Sequence, residues 1–185
     1  MANILDRLNT RDGGIDRSAE WYRNTVRKLG TRVTANKMMQ DGILTNRPNI
    51  GLLNLFFYDP KYKKTLPYYD IYPLVLPLDT IPGGFAGINF HYLAPLQRFR
   101  LLERLESFKN KRRIDNKTLL NVNLSRVRNI PEVKPIIKKY LFNHVRSRFL
   151  KIDLTQAAYA IYLPVQRFQK ASAQSVYRQT REAME

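Results

Sequence analysis

Cysteine is absent from this sequence of 185 residues, and the only histidines are His91 and His144. The lack of cysteine excludes disulfide scaffolds, thiolate zinc sites and cysteine nucleophiles. Glycine and proline, with 8 and 10 residues, are too few for a fibrous or low-complexity chain. Hydrophobic residues make up 44% of the sequence, which is enough for a globular protein with one core.

Acidic residues and long hydrophobic runs are also scarce. There are 15 Asp and Glu against 32 Lys and Arg, and the net charge of +17 indicates a polyanionic or acidic partner. No run approaches the roughly 18 apolar residues of a membrane span, and residues 1–14 lack the apolar stretch of a signal peptide. We therefore expect no membrane partner and a cytosol-like compartment.

The positive charge is concentrated in one part of the chain. Residues 48–95 contain three bases and three acids, whereas residues 96–151 contain sixteen bases and four acids, a net charge of +12. A partner of negative charge is therefore expected to contact mainly the second segment.

The neutral segment predicts a three-stranded antiparallel meander. Three runs rich in aromatic and aliphatic residues are separated by turn residues, and the runs are GLLNLFFYD, YYDIYPLVLPL and GFAGINFHYL. Gly83 and Gly84 suit the hairpin turn between the second and third strands. Pro73 and Pro77 cannot donate hydrogen bonds to a ladder, so the second strand is expected to be short, broken or at an edge.

The basic segment predicts three amphipathic helices. Arg98, Arg100 and Arg104 fall between apolar residues that recur every three positions in the first helix, and Lys138 and Lys139 lie opposite the apolar stripe of the third. The expected helix starts are Pro95, Asp115 or Asn116, and Asn129. The run AYAIYLPV that follows predicts a strand returning to the meander.

Together these patterns predict an α+β protein with a small antiparallel sheet or SH3-like partial barrel, a helical insertion and extended terminal arms. The expected units are an N-terminal helical arm at 1–47, a core at 48–165 and a C-terminal tail at 166–185. Within the core we expect strands at 50–93, the helical insertion at 95–150 and the return strand at 157–165. The N-terminal arm is too short to fold alone, so we expect it to pack on a neighbouring subunit. Its interface residues would be Trp21, Tyr22, Val26 and Leu29.

No catalytic, cofactor-binding or metal-binding residues are predicted. The loop PGGFAG precedes a strand, whereas a phosphate cradle must open a helix. Asp59, Asp70 and Asp79 could together bind a divalent cation, but each stands where Asp commonly forms a turn. His91 and His144 are expected to be packed histidines hydrogen-bonded to carbonyls. We therefore predict a non-enzymatic protein without a small-molecule substrate.

Two groups of residues remain as candidate contacts. The candidate anion or partner contacts are Lys111, Arg112, Arg113, Lys138, Lys139, Arg146 and Arg148, which would bind phosphate or a partner's carboxylates or form a solvated surface. Tyr68, Tyr69 and Tyr72 are interpreted first as core, second as a protein interface and third as a base-stacking platform. The basic and aromatic clusters lie in different segments, which weakens a combined nucleic-acid interpretation.

The blocks FFYDPKYKKTLPYYDIYPLVLPLDTIPGGFAGINFHYLAPLQR (56–98), NHVRSRFLKI (143–152) and YLPVQRFQKAS (162–172) resemble a family of small virion-associated proteins of large contractile-tailed phages similar to T4. The resemblance implies a structural or assembly protein of the virion, of the baseplate, neck or DNA-end-protector type. It implies that the protein is in the host cytoplasm during assembly and then in the virion. Its expected partners are other virion proteins, in a symmetric oligomer or ring.

The predicted function is therefore a structural one, in which the protein joins other virion proteins at the tail baseplate or at the neck. The alternative is a DNA-binding protein that holds or protects the packaged DNA end. A nuclease that uses the three Asp residues ranks third. Salt dependence separates the first two, because phosphate binding weakens steeply as salt rises.

Overall fold

The computed structural model describes residues 4–5, 17–29, 33–111 and 118–185. Within them the chain combines helices with antiparallel sheets, so the predicted α+β class is confirmed. The α-helices are α1 Ala19–Lys28, α2 Ala35–Asp41, α3 Pro95–Leu105, α4 Leu124–Val127, α5 Leu154–Ala160 and α6 Ala173–Glu182. The strands are β1 Leu44–Thr45, β2 Leu53–Leu55, β3 Tyr69–Asp70, β4 Leu74–Ile81, β5 Gly84–Asn89, β6 Lys109–Lys111, β7 Thr118–Leu120, β8 Ile137–Leu141, β9 Phe149–Ile152 and β10 Phe168–Gln169.

The largest sheet has six antiparallel strands in the order β1-β9-β2-β4-β5-β8. Its centre, β2-β4-β5, matches the predicted meander. Strands β8 and β9, which flank this centre, come from the basic segment, and the edge strand β1 comes from the predicted N-terminal arm. Two further pairs, β3 with β10 and β6 with β7, form small two-stranded sheets.

The hairpin between β4 and β5 lies at the predicted position. Ile81 pairs with Gly84, so Pro82 and Gly83 are the two loop residues. Gly83 has a φ of +72°, which an L side chain rarely adopts, and proline before such a glycine is typical of a type II turn. Gly84 is the first residue of β5 and has a different constraint, because its α-carbon faces the backbone of β8.

Strand β4 is longer and more central than its prolines predict. It has eight residues and begins directly after Pro73, where no ladder donor is needed. Pro77 pairs with Gly87, and the register shifts between Pro77 and Asp79. Strand β2 pairs only with Leu74 and Val75, so Pro77 lies beyond the end of β2 and is locally at an edge.

The main sheet has a hydrophobic cluster on each face. Along β4, Leu74 and Leu76 belong to the larger cluster and Val75 to the smaller one, as the alternation of strand side chains requires. The larger cluster includes Tyr22 of α1, whose ring lies 5.0 Å from the ring of Tyr159 in α5. The smaller cluster is mostly aromatic and contains Phe56, Tyr58, Val75, Phe85, Tyr140 and Phe149.

The predicted third helix of the basic segment is wrong. Residues 137–141 form β8, which pairs with β5 from Ile137 opposite Ile88 to Leu141 opposite Gly84. The preceding Lys134–Ile136 is a single 3₁₀ turn that contains Pro135. The apolar residues of this segment follow helical spacing, and pairing with the open edge of β5 overrides that local preference.

Two other secondary-structure predictions are also wrong. The predicted return strand at 157–165 begins as helix α5, whose Ala157, Ala158 and Ala160 are buried. Alanine has the highest helix propensity, and a segment buried on several sides shows no clear period. The predicted second helix is a strand, β7, followed by the single-turn helix α4.

The chain ends are not extended arms where the structure describes them. Tyr22 and Val26 are buried in the protein's own core, and Val176 of α6 is fully buried. Leu29 packs against the same core, whereas Trp21 remains 42% exposed. The apolar stripe of α1 therefore covers this chain's own α3 and α5, and Tyr22 and Val26 are not free for a neighbouring subunit.

Candidate nucleic-acid interface

A cleft of about 570 Å³ lies beside the edge strand β8, and we call it the tyrosine cleft. It is formed by the loop that follows β2, by β3, by the end of β5 and by β8. Its aromatic and basic lining residues are Tyr58, Lys61, Tyr62, Tyr68, Tyr69, Tyr92, Lys138, Lys139 and Tyr140. The volume falls in the range of about 300–1,000 Å³ that is usual for ligand pockets.

The turn at 60–66, which carries Tyr62 into the cleft, is held in place by several hydrogen bonds. The backbone amides of Thr65 and Leu66 both donate to the carbonyl of Tyr62. Lys170, a non-glycine residue with a φ of +67°, donates from Nζ to the carbonyls of Lys64 and Leu66 at 2.9 Å each. Tyr62 is thus 62% exposed on a tethered turn, and its ring is presented to solvent and to the cleft.

Tyr68, Tyr92 and Lys138 form a continuous part of the lining. The rings of Tyr68 and Tyr92 lie 5.8 Å apart, and Nζ of Lys138 lies 4.5 Å from the centroid of the Tyr92 ring. This cation–π contact partly compensates the desolvation of the amine. Burial lowers the pKa of the Lys138 ammonium, and no described carboxylate forms an ion pair with it, so an anionic ligand would stabilise its charged form.

Three basic side chains line the tyrosine cleft, and they are Lys61, Lys138 and Lys139. Lys63 and Lys64 belong to the 60–66 turn, Lys170 contacts that turn and Arg146 contacts Asp59 beside it, and we call all seven the basic rim. Asp59 is the acid that contacts it among the described residues, at 2.8 Å from Nζ of Lys63 and 3.9 Å from the guanidinium of Arg146. Lys63 lowers the pKa of Asp59 through this hydrogen bond. The rim consists of Lys61, Lys63, Lys64, Lys138, Lys139, Arg146 and Lys170.

A buried Asp–His pair lies behind the cleft. Oδ2 of Asp70 is 2.7 Å from Nδ1 of His91, and both side chains are almost fully buried. The other carboxylate oxygen of Asp70 accepts from the backbone amides of Tyr72 and Arg167. Burial lowers the pKa of His91 despite the neighbouring carboxylate, so we assign a neutral imidazole that donates from Nδ1 to Asp70.

Arg98 is the buried polar residue that links this part of the protein to the helices. Its guanidinium donates to the carbonyls of Leu93 at 2.7 Å and Ile161 at 2.9 Å, and to the hydroxyl of Tyr177 at 2.9 Å. A longer bond of 3.4 Å reaches the carbonyl of His91. Arg98 therefore connects α3, the end of α5 and α6, and it stands at the position that the amphipathic pattern wrongly assigned to the polar face.

The neutral His91 makes the stability of the fold depend on pH. Its pKa is lower in the folded protein than the ordinary 6.5 expected after unfolding, so the unfolded chain binds more protons below that pH. We expect full stability above about pH 6.5 and a loss of up to about 1.4 kcal/mol per pH unit as the pH falls from 6.5 toward the folded-state pKa. Urea unfolding between pH 7.5 and 5.0 measures this slope. A His91→Gln variant should be less stable, and its free energy of unfolding should change less with pH over this range. If the variant and the unmodified protein show the same slope, the assignment of a neutral His91 is contradicted.

The structure brings together part of the predicted anion contacts. Lys138 and Lys139 line the cleft from β8, and Arg146 joins the rim through the loop after it, while Arg148 is exposed further along the chain. For Lys111 the structure gives the backbone at the end of β6. Arg112 and Arg113 lie outside the described residues.

The predicted aromatic cluster divides between two environments. Tyr68 and Tyr69 line the cleft beside Lys138 and Lys139, so pairing of β8 with β5 joins the two clusters that are separate in sequence. Tyr72 instead donates from its hydroxyl to Asn36 of α2, and its ring packs on Phe57. Sequence reasoning missed Tyr58, Tyr62 and Tyr92, although Tyr62 stands between lysines in a turn-forming loop.

The three aspartates considered as metal ligands have separate partners. Asp59 binds Lys63, Asp70 binds His91, and Asp79 accepts from the backbone amide of Leu124 at 2.7 Å. The described part of the chain contains no group of three Asp, Glu or His placed to hold a metal ion. Nor does any helix in that part have the length and apolarity to span a membrane.

Fold and site together define an α+β protein with a basic, tyrosine-lined cleft. A family described as phage T4 terminal DNA protecting protein matches residues 6–181. The match covers nearly the whole chain, so the chain belongs to this family, and the resemblance to proteins of T4-like phages is confirmed. Comparisons with curated proteins and with solved structures give no significant match.

Proposed function

We propose that the protein binds the ends of phage DNA and shields them from nucleases, with the basic rim as the DNA-contacting surface. The family description names terminal DNA protection, and this supports the DNA-end alternative over the joining of tail or neck proteins. The observation that carries the proposal is structural. The fold places three basic side chains in the lining of one aromatic cleft and four more on or beside the 60–66 turn that carries Tyr62 into it.

The position of the rim supports a nucleic-acid ligand more than a solvated surface. Lys61 comes from the segment whose charge balances in sequence, yet it lines the same cleft as Lys138 and Lys139 of β8. Such a concentration of positive charge repels itself in the free protein, and bound phosphates would relieve the repulsion. Lysines along the edge strand β8 also discourage pairing with another sheet.

The test is the binding of linear duplex DNA and its dependence on salt. We expect the double variant Lys139→Glu, Arg146→Glu to bind about tenfold more weakly or worse, and to lower the slope of log K against log salt by about two, because each lost phosphate contact removes about one counterion release. Fluorescence anisotropy at several salt concentrations measures both quantities. Lys138 is left unchanged because its amine packs on Tyr92, so reversing its charge would disturb the fold.

The matched control is Arg23→Glu, Arg27→Glu, which makes the same charge change on exposed residues of α1, outside the rim. If both double variants weaken binding equally, the effect comes from net charge and the rim is not the binding surface. Protection is checked by adding an exonuclease to linear DNA, with a duplex closed at both ends by hairpin loops as the control. Digestion that is as fast with the protein as without it would overturn end protection.

A second candidate is the joining of virion proteins, and one surface favours it. A groove of about 620 Å³ is lined by Ile50, Phe142 and Val145 among others, and Ile50 and Phe142 are 49% and 45% exposed. Large exposed apolar side chains at a groove are typical of protein interfaces. This candidate becomes the better one if the protein shows no salt-dependent binding to DNA.

A further inference from the structure

Resting on the proposed function, we propose that the tyrosine cleft binds an unpaired nucleotide at the DNA terminus, so that the protein recognises ends with a single-stranded overhang. The rim would contact the backbone phosphates while a tyrosine ring stacks on the base. The proposal thus assigns a class of ligand to the cleft. Binding of duplex DNA to a basic surface would not require such a cleft.

The lining matches the chemistry of an unpaired nucleotide. Tyr62 is presented at 62% exposure, and Tyr68 and Tyr69 are half-buried in the same cleft. Tyrosine rings stack on any base, but only on one whose face is free, and the bases inside a duplex already stack on each other. Pro60, Leu66, Pro67 and Leu141 supply further apolar lining. A duplex can therefore contact the rim but cannot place a base in the cleft.

The positive charges are placed for the phosphates of the same nucleotide. Nζ of Lys61 lies 5.3 Å from the centroid of the Tyr62 ring, and Nζ of Lys138 lies 4.5 Å from that of Tyr92. Each lysine thus stands next to a ring of the lining, and no described carboxylate forms an ion pair with either lysine. Rings together with neighbouring cations are the combination that binds single-stranded DNA, in which the rings stack on bases and the cations contact phosphates.

The cleft is also built to keep its shape without a ligand. Lys170 holds the 60–66 turn from one side, and Asp70, whose carboxylate is fully hydrogen-bonded, fixes the backbone of β3 next to Tyr69. The hydroxyls of Tyr58 and Tyr140 are used inside the protein, by the Leu141 amide and the Asn89 side chain. Preorganisation lowers the entropy cost of ordering a flexible DNA end.

The test uses the full chain and fluorescently labelled hairpin duplexes with a single free end. The ends compared are blunt, with a four-nucleotide 3′ overhang, or with a four-nucleotide 5′ overhang. We expect the unmodified protein to bind at least one overhang about tenfold more tightly than the blunt end. Tyr62→Ala, Tyr69→Ala should lose this preference and keep the affinity for the blunt duplex, while Tyr62→Phe, Tyr69→Phe should retain it because the rings remain.

Every other result contradicts one identifiable part of the proposal. Equal binding of blunt and overhanging ends by the unmodified protein refutes recognition of an unpaired nucleotide and leaves the proposed function standing. A preference that survives the alanine variant places the recognition elsewhere, and a preference lost in the phenylalanine variant excludes stacking. An absence of any DNA binding overturns the proposed function itself. Tyr62→Ala alone, at an exposed position, repeats the test if circular dichroism shows that the double variant is unfolded.

Discussion

Arg98→Ala is expected to destabilise the protein by about 3–5 kcal/mol, a large part of the 5–15 kcal/mol that usually holds a domain together. The side chain is 1% exposed and donates to three backbone carbonyls and the hydroxyl of Tyr177. Its removal leaves these acceptors buried without a donor and leaves the buried carboxylate of Asp70 without a nearby positive charge. Urea unfolding at pH 7.5, above the range in which His91 titrates, measures the loss.

Arg100→Ala is the matched control, since Arg100 is exposed two residues further along α3. It should change the free energy of unfolding by less than about 0.5 kcal/mol. Arg98→Lys should also be strongly destabilising, because a single ammonium cannot replace the planar guanidinium, whose several N–H groups donate to acceptors in different elements. If Arg98→Ala costs no more than Arg100→Ala, the buried network is not a determinant of stability.

Gly84→Val is expected to detach the edge strand β8. A Cβ at this position would overlap the carbonyl oxygen of Tyr140, and the other nearest atoms also belong to the backbone of β8, which cannot move aside as a flexible side chain can. We expect a loss of about 3 kcal/mol or more in the free energy of unfolding, because the whole β5–β8 ladder must shift. Amide hydrogen exchange should show lost protection at Lys138, Tyr140 and Phe142, whose amides face β5, while β2 and β9 remain protected.

The neighbouring Gly83→Ala separates this effect from that of the turn. A Cβ on Gly83 meets nothing within 4 Å, so its cost is the strain of a φ of +72°, about 1 kcal/mol. Gly84→Val should therefore be clearly the more damaging of the two substitutions. Equal losses would mean that the turn, and not the close approach of β8, limits the residues allowed here.

The position of α1 and α6 shows why chain ends are difficult to assign from sequence. Each helix carries a short apolar stripe. Such a stripe indicates that the helix packs against another surface, but it does not indicate whether that surface belongs to the same chain. From sequence, the N-terminal arm is too short to fold alone, and this predicts a neighbouring subunit as the cover of its stripe. In the structure α5 supplies the cover through Tyr159, and α5 was not predicted as a helix at all.

The sequence by itself determined the elements whose signals are local. These are the central meander, the hairpin at Gly83, the absence of thiol chemistry, the excess of positive charge and the blocks shared with proteins of T4-like phages. Each depends on residue type and on spacing over a few positions, so no knowledge of distant partners was needed.

Only the tertiary structure decided where the charge and the aromatic rings meet. The apolar residues from Val133 to Val145 follow helical spacing, yet the free backbone edge of β5 selected a strand at 137–141. That pairing moves Lys138 and Lys139 next to Tyr68, Tyr69 and Tyr92 and so creates the tyrosine cleft. The helical spacing of apolar residues likewise does not predict that Arg98 is buried, because its acceptors are the carbonyls of residues 91, 93 and 161. Contacts between residues far apart in sequence depend on the complete fold, and no local pattern encodes them.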